Sequence, residues 1–92
     1  MQRKENVHKL INELAHEIYG FIKESESFFS DGWVPAIYIK NELGLKLSSY
    51  PKGNKIDNET GWFFNTLARI LQDENLIEFK KDINRSYYKS KK

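Results

Sequence analysis

The chain of 92 residues contains no cysteine, which excludes disulfide bridges and thiolate metal sites. It also has no apolar run long enough to cross a membrane. Its first ten residues, MQRKENVHKL, are mostly polar and lead into an amphipathic pattern, unlike a secretory leader. These absences favour a cytoplasmic protein that does not contact membranes.

The patterns that mark catalytic sites are absent too. The segment PKGNK lacks the spacing of a phosphate-binding P-loop. His8 and His16 stand eight residues apart with no third metal ligand nearby, and Ser48 and Ser49 have no catalytic triad around them. We therefore expect neither an enzyme nor a protein that holds a metal or a cofactor.

Aromatic residues, by contrast, make up 14% of the chain and hydrophobic residues 39%. Such a composition is too apolar for a disordered tail, and large aromatic side chains fill a small core efficiently. The length allows one hydrophobic core and not two. We predict a single domain over 1–92, with 1–4 and 90–92 frayed.

Charge is distributed unevenly along the chain although the net charge is only +2. Lys and Arg against Asp and Glu give −2 over 1–31, +3 over 32–56, −4 over 57–78 and +5 over 79–92. A basic C-terminal segment suits contact with phosphate groups. It equally suits a solvated terminus that keeps the protein in solution.

The stretch 58–90 carries the clearest local pattern. Apolar residues at helical spacing predict a helix over 60–74, and Asn75 is a common residue after a helix end. Two short alternating segments follow, 76–80 and 85–89, separated by turn residues. This stretch therefore reads as a helix that runs into a β-hairpin with Lys and Arg near its tip.

A longer helix is predicted over 5–24, where apolar residues recur at intervals of three and four. A short strand at 33–34 could pair with the hairpin edge, and a compact helix over 35–43 begins at a proline. Gly44 suits the position after that helix, and Leu45 could pack back. The following link over 45–59 is long for a turn between two helices.

The predicted core collects the apolar residues of these elements: Val7, Leu10, Leu14, Ile18, Ile39, Leu43, Phe63, Leu67, Ile70, Leu71, Ile77 and Phe79.

This order of elements resembles the winged helix-turn-helix domain. The resemblance rests on WVPAIYIKNELGL as first strand and second helix, ETGWFFNTLARILQDENLIEF as recognition helix and first wing strand, and KKDINRSYYKS as wing. It implies an α+β fold in which three helices pack on a small antiparallel hairpin or three-stranded sheet. The long link departs from the short turn usual in that family.

The resemblance further implies binding of double-stranded DNA, and so a role in transcription regulation. The third helix would enter the major groove, where Asn65 could bind adenine and Arg69 guanine. Thr60, Trp62 and Thr66 would lie near the helix start. The phosphate contacts would come from the link and the wing. These cations are Lys52, Lys55, Lys80, Lys81, Arg85 and Lys89.

Other interpretations of the same residues stay open. Arg69 can pair with Asp73 on a solvated helix, and Trp62 can bury its ring against the link. The acidic third helix would be repelled by phosphates, which favours a winged-helix module for protein interaction or assembly without DNA. The apolar stripe of the first helix also suits a homodimer.

Overall fold

The computed structural model describes residues 1–45 and 62–91, with only the backbone described at Trp62. The predictions for Lys52, Lys55 and Thr60, and for the link after residue 45, lie outside these residues. The chain forms helix α1 (Gln2–Ser25), a 3-10 turn (Glu26–Phe28), strand β1 (Val34–Pro35), helices α2 (Ala36–Glu42) and α3 (Trp62–Asp73), and strands β2 (Ile77–Asp82) and β3 (Arg85–Ser90).

The three strands form one antiparallel sheet in the order β1-β3-β2. Strand β1 is the stubby third strand expected beside the hairpin, and its Val34 pairs with Tyr88. Pro35 belongs to this strand and is the N-cap residue of α2, which begins at Ala36, one residue after the predicted start. The α+β class, with three helices on a small antiparallel sheet, is thus confirmed.

Both α2 and α3 end in the same backbone motif. Gly44 and Asn75 have φ values of 69° and 62°, in the left-handed region. The next residues, Leu45 and Leu76, donate their N–H groups to carbonyls five positions earlier, at 2.8 and 3.0 Å. Such bonds satisfy carbonyls that have no partner inside the helix. The predicted roles of Gly44 and Asn75 are therefore confirmed.

The core lies between α3, the C-terminal half of α1, α2 and the sheet. Of the predicted core residues Ile18, Ile39, Leu67, Leu71 and Ile77 are buried. Phe63 and Ile70 are half-buried against the core. Among the described residues, seven further hydrophobic ones are buried that the predicted core did not include: Ala15, Ile22, Val34, Ala36, Phe64, Ala68 and Tyr88.

The prediction was wrong for five residues, because Val7, Leu10, Leu14, Leu43 and Phe79 are exposed. The first three lie on the N-terminal part of α1, where every residue up to position 14 is exposed. Leu43 follows the last residue of α2 at the surface. Phe79 shares the inward sheet face with Ile77, but burial is lost along β2 as the hairpin extends from the helices.

Near both ends the described residues belong to regular secondary structure. Residues 2–4 are part of α1, and Ser90 is a buried residue of β3. The Ser90 N–H donates to Oε2 of Glu26 at 2.6 Å, which ties the 3-10 turn to the end of β3. The N–H of Lys91 donates to the carbonyl of Leu76 at 2.9 Å. Both bonds hold the C-terminal strand against the domain.

The hairpin turn holds a strained residue. Ile83 has a φ of 57° in the two-residue connection between the paired residues Asp82 and Arg85. A β-branched side chain disfavours positive φ, whereas glycine accepts it, and Ile83 buries little because it is 86% exposed. Relief of this strain should exceed the destabilisation caused by the greater entropy of glycine in the unfolded chain. We therefore expect Ile83→Gly to stabilise the fold by a net amount of about 1 kcal/mol.

Thermal unfolding followed by circular dichroism would measure this effect as a rise in Tm of roughly 4–8 °C. Asn84→Gly, one residue along the same turn, provides the matched control, since Asn84 is not among the residues with positive φ. A gain in the control as large as in Ile83→Gly would contradict the strain argument.

Candidate nucleic-acid interface

Helix α3 divides into a buried and an exposed side. Phe64, Leu67, Ala68 and Leu71 are buried, and they hold the helix against α1 and the sheet. Asn65, Thr66 and Arg69 are exposed. The amphipathic spacing therefore fixes which residues of α3 reach solvent, and these include three of the predicted DNA-contacting residues.

The exposed side of α3 and the hairpin border an open cleft of about 340 Å³, the α3–hairpin cleft. Asn65 and Arg69, one helical turn apart, line it from the helix. Phe79 and Ser86 line it from the two hairpin strands. The cleft therefore presents the amide of Asn65 and the guanidinium of Arg69 opposite the hydroxyl group of Ser86.

Register decides which hairpin cations face this cleft. Lys81 pairs with Ser86, and paired residues of an antiparallel ladder project to the same sheet face. Lys81 therefore lies on the cleft side. Lys80 pairs with Tyr87, and successive strand residues alternate between faces, so Lys80 lies on the opposite side.

That opposite side carries a group of aromatic and basic side chains, the outer sheet cluster: Trp33, Lys80, Tyr87 and Lys89. Nζ of Lys80 lies 4.7 Å from the centre of the Trp33 ring and 5.2 Å from that of Tyr87. Nζ of Lys89 lies 5.6 Å from the Trp33 ring centre. These cations are attracted by the negative faces of the rings, which hold them away from the cleft.

Arg69 is paired in this structure. Its Nε lies 3.6 Å from Oδ1 of Asp73, and both side chains are more than 70% exposed. This is the pair that the sequence left open as an alternative to base contact. An exposed ion pair of this kind contributes at most about 1 kcal/mol, so little free energy holds the guanidinium in place.

Arg85 lies in a second cleft, between the hairpin turn and the start of α2. Asn84, Arg85 and Ser86 line it from the hairpin, and Pro35 and Ile37 from the other side. Ser86 borders this cleft and the α3–hairpin cleft alike. The two clefts therefore share one lining residue on β3.

The structure thus separates the predicted site residues into groups. Asn65, Arg69 and Lys81 share the cleft side, Arg85 occupies the adjoining cleft, and Lys80 and Lys89 belong to the outer sheet cluster. Thr66 is exposed on the preceding turn of α3. The sequence prediction missed Gln72 and Ser86 in the cleft and Trp33 and Tyr87 on the outer face. For Ser86 and Tyr87, cross-strand register was the missing information.

Tyr88, which lines the α3–hairpin cleft, has a shifted pKa. Burial raises the pKa of the Tyr88 hydroxyl above its ordinary value of 10.0, so this ring stays neutral at physiological pH. In the part of the chain that the structure describes, no three His, Asp or Glu side chains cluster as metal ligands. Nε2 of His16 lies 3.0 Å from Oε1 of Glu74, and this contact links α1 to the residue that follows α3.

The described helices include none with the length and apolar character needed to span a membrane.

Comparison with known proteins found no match: no family model, no curated protein and no solved structure matches this chain. The function is therefore inferred from the geometry of the clefts and the charges around them.

Proposed function

We propose that this protein is a winged helix that binds double-stranded DNA and serves transcription regulation. The observation that carries the proposal is the α3–hairpin cleft, in which Asn65 and Arg69 of an exposed helix face stand beside a basic hairpin. The element order and the strand order β1-β3-β2 support the resemblance to winged helices.

The chemistry of the helix face supports contact with base edges. An α-helix fits the major groove, where arginine can donate two hydrogen bonds to guanine and asparagine can pair with adenine. Asn65 and Arg69 lie on one side of α3 and point in similar directions. They would therefore reach neighbouring base pairs. Thr66 and Trp62 would face the groove near the start of α3, together with Thr60.

The basic residues around the clefts would position the protein on the phosphates. Lys81 lies on the cleft side of the hairpin, so it would contact the DNA strand that borders the groove. Arg85 lies at the turn and would contact phosphates from the end of the hairpin. Lys80 and Lys89 are held over the outer aromatic rings and would contribute through their charge at longer range. Lys52 and Lys55 complete the proposed phosphate contacts.

A selection from random duplexes, followed by fluorescence anisotropy at two salt concentrations, tests the proposal. We expect salt-sensitive binding, and a loss of roughly 5- to 150-fold for Arg69→Ala on the selected sequence, since a good bidentate base contact is worth about 1–3 kcal/mol. Asp73→Asn should strengthen binding, because it removes the carboxylate that now pairs with Arg69.

Two adjacent lysines offer a matched comparison for the wing. Lys81→Ala should weaken binding and lower the salt dependence by about one released ion, whereas Lys80→Ala, of equal charge on the other face, should change both far less. Equal effects of the two variants would contradict the proposed docking face. Absence of duplex binding at low salt would reject the DNA-binding function.

One observation favours the second candidate, a winged-helix module for protein contacts without DNA. The N-terminal part of α1 exposes four large apolar side chains, which a module for assembly would bury against a partner. Absence of duplex binding together with a stable protein complex would support this candidate.

A further inference from the structure

The N-terminal half of α1 bears an apolar surface that no described residue covers. Val7, Leu10, Ile11 and Leu14 are 54%, 63%, 38% and 41% exposed. They continue the same stripe that is buried farther along the helix at Ile18 and Ile22. A helical extension of this length gains little stability by itself in water. Its apolar stripe therefore calls for a partner surface.

The stripe has the spacing of a helix-pairing seam. Val7, Leu14 and Phe21 recur every seven residues, and Arg3, Leu10 and Glu17 form a second row with the same interval. Seven residues are close to two helical turns, so each row runs nearly straight along α1. The two rows lie side by side, with the exposed apolar residues at their centre.

Charge along the second row favours one orientation of a second copy. Arg3 stands seven residues before Leu10, and Glu17 seven residues after it. An antiparallel pair centred at Leu10 sets Arg3 of each copy opposite Glu17 of the other. A parallel pair in register would instead set like charges together, which disfavours association.

We propose that α1 pairs with α1 of a second copy of this chain, antiparallel and centred at Leu10. In that register Leu10 meets its own counterpart, and Val7 lies beside Leu14 of the other copy. This inference does not depend on DNA binding.

An apolar groove beside the seam gives the end of the second helix a place to lie. Leu14, Ile18 and Phe21 line it from α1, and Leu43 and Leu45 from the end of α2. In the proposed register the first residue of one copy comes near position 19 of the other. The exposed Met1 side chain therefore approaches this groove and extends the contact beyond the seam.

The contact is small, because the seam from Arg3 to Glu17 is only about 21 Å long. Stable dimers usually bury more surface than two such helices can provide, so the dimer should be reversible. Light scattering across a dilution series should give twice the 10.9 kDa chain mass at high concentration and the monomer on dilution. A monomer at every concentration would overturn the proposal.

Substitutions on α1 test where the contact lies. Leu10→Glu should abolish the dimer and leave the far-ultraviolet circular dichroism of the domain intact, since Leu10 is exposed. Asn12→Glu adds the same charge to the same helix away from the seam and should still dimerise. A dimer that survives Leu10→Glu would overturn the assignment to α1.

The orientation can be tested by charge reversal. Arg3→Glu and Glu17→Arg should each weaken the dimer severalfold, and the double variant should restore it, because both pairs then exchange sign. Failure of the double variant to recover would overturn the antiparallel register.

Cysteine cross-linking gives a second readout, which is clean because the chain has no cysteine of its own. Leu10→Cys should oxidise to a covalent dimer, since the two positions face each other. Val7→Cys should not, because its counterpart is displaced by about 9 Å along the helix, beyond the Cα separation that a disulfide bridges. Efficient cross-linking at Val7 alone would overturn the register.

Discussion

Replacing Phe64 by alanine should destabilise the domain by about 3–5 kcal/mol. Phe64 is fully buried, and its ring meets Tyr88 edge to face with ring centres 5.5 Å apart. It therefore joins α3 to the central strand of the sheet. Alanine would leave a cavity at that junction and remove the aromatic contact. For a domain of this size the loss is a large part of the total stability.

Urea unfolding followed by circular dichroism measures this change as a lower midpoint with an unchanged slope. Phe28→Ala is the matched control, since Phe28 is 72% exposed and its loss should stay within about 0.5 kcal/mol. Equal destabilisation by the two variants would contradict the burial assigned to Phe64.

The second large effect is expected at Ile22, the fully buried residue near the end of α1. Ile22→Ala should cost about 2–5 kcal/mol, because the core closes around this side chain and would be left with a cavity. The same urea experiment measures it, at a protein concentration low enough to keep the chain monomeric.

Leu10→Ala tests the same helix on the same apolar stripe, but at an exposed position. In the monomer this variant should change the free energy of unfolding by no more than about 0.5 kcal/mol. A cost as large as that of Ile22→Ala would mean that the N-terminal half of α1 is packed against the domain itself.

The contrast between exposed Leu10 and buried Ile22 shows what sequence periodicity can and cannot predict. Leu10 and Ile22 belong to one uninterrupted pattern, and the pattern correctly predicts an amphipathic helix. Periodicity predicts that one face of a helix is buried, but it does not predict which surface covers that face. The buried residues Ala15 and Ala68 were missing from the predicted core for a related reason. A small side chain is buried by the close approach of two helices, which periodicity does not predict.

Local signals were more reliable than long-range ones. The left-handed residues just beyond α2 and α3, Gly44 and Asn75, could be assigned because few residue types favour a left-handed conformation. The division of Lys80 and Lys81 between two sheet faces follows from strand alternation, but which face meets α3 depends on packing. The covering of the Trp33 ring by two lysines needed the sheet register as well.

The edges of the sheet affect how the protein behaves at high concentration. One edge strand, β1, has only two residues, and its Pro35 has no N–H group to offer another chain. The other edge strand, β2, carries charged side chains at Glu78, Lys80, Lys81 and Asp82. Short or charged edges deter strand-to-strand aggregation. Self-association through the sheet edges is thereby discouraged, so copies that pair through α1 are less exposed to strand-to-strand fibre formation.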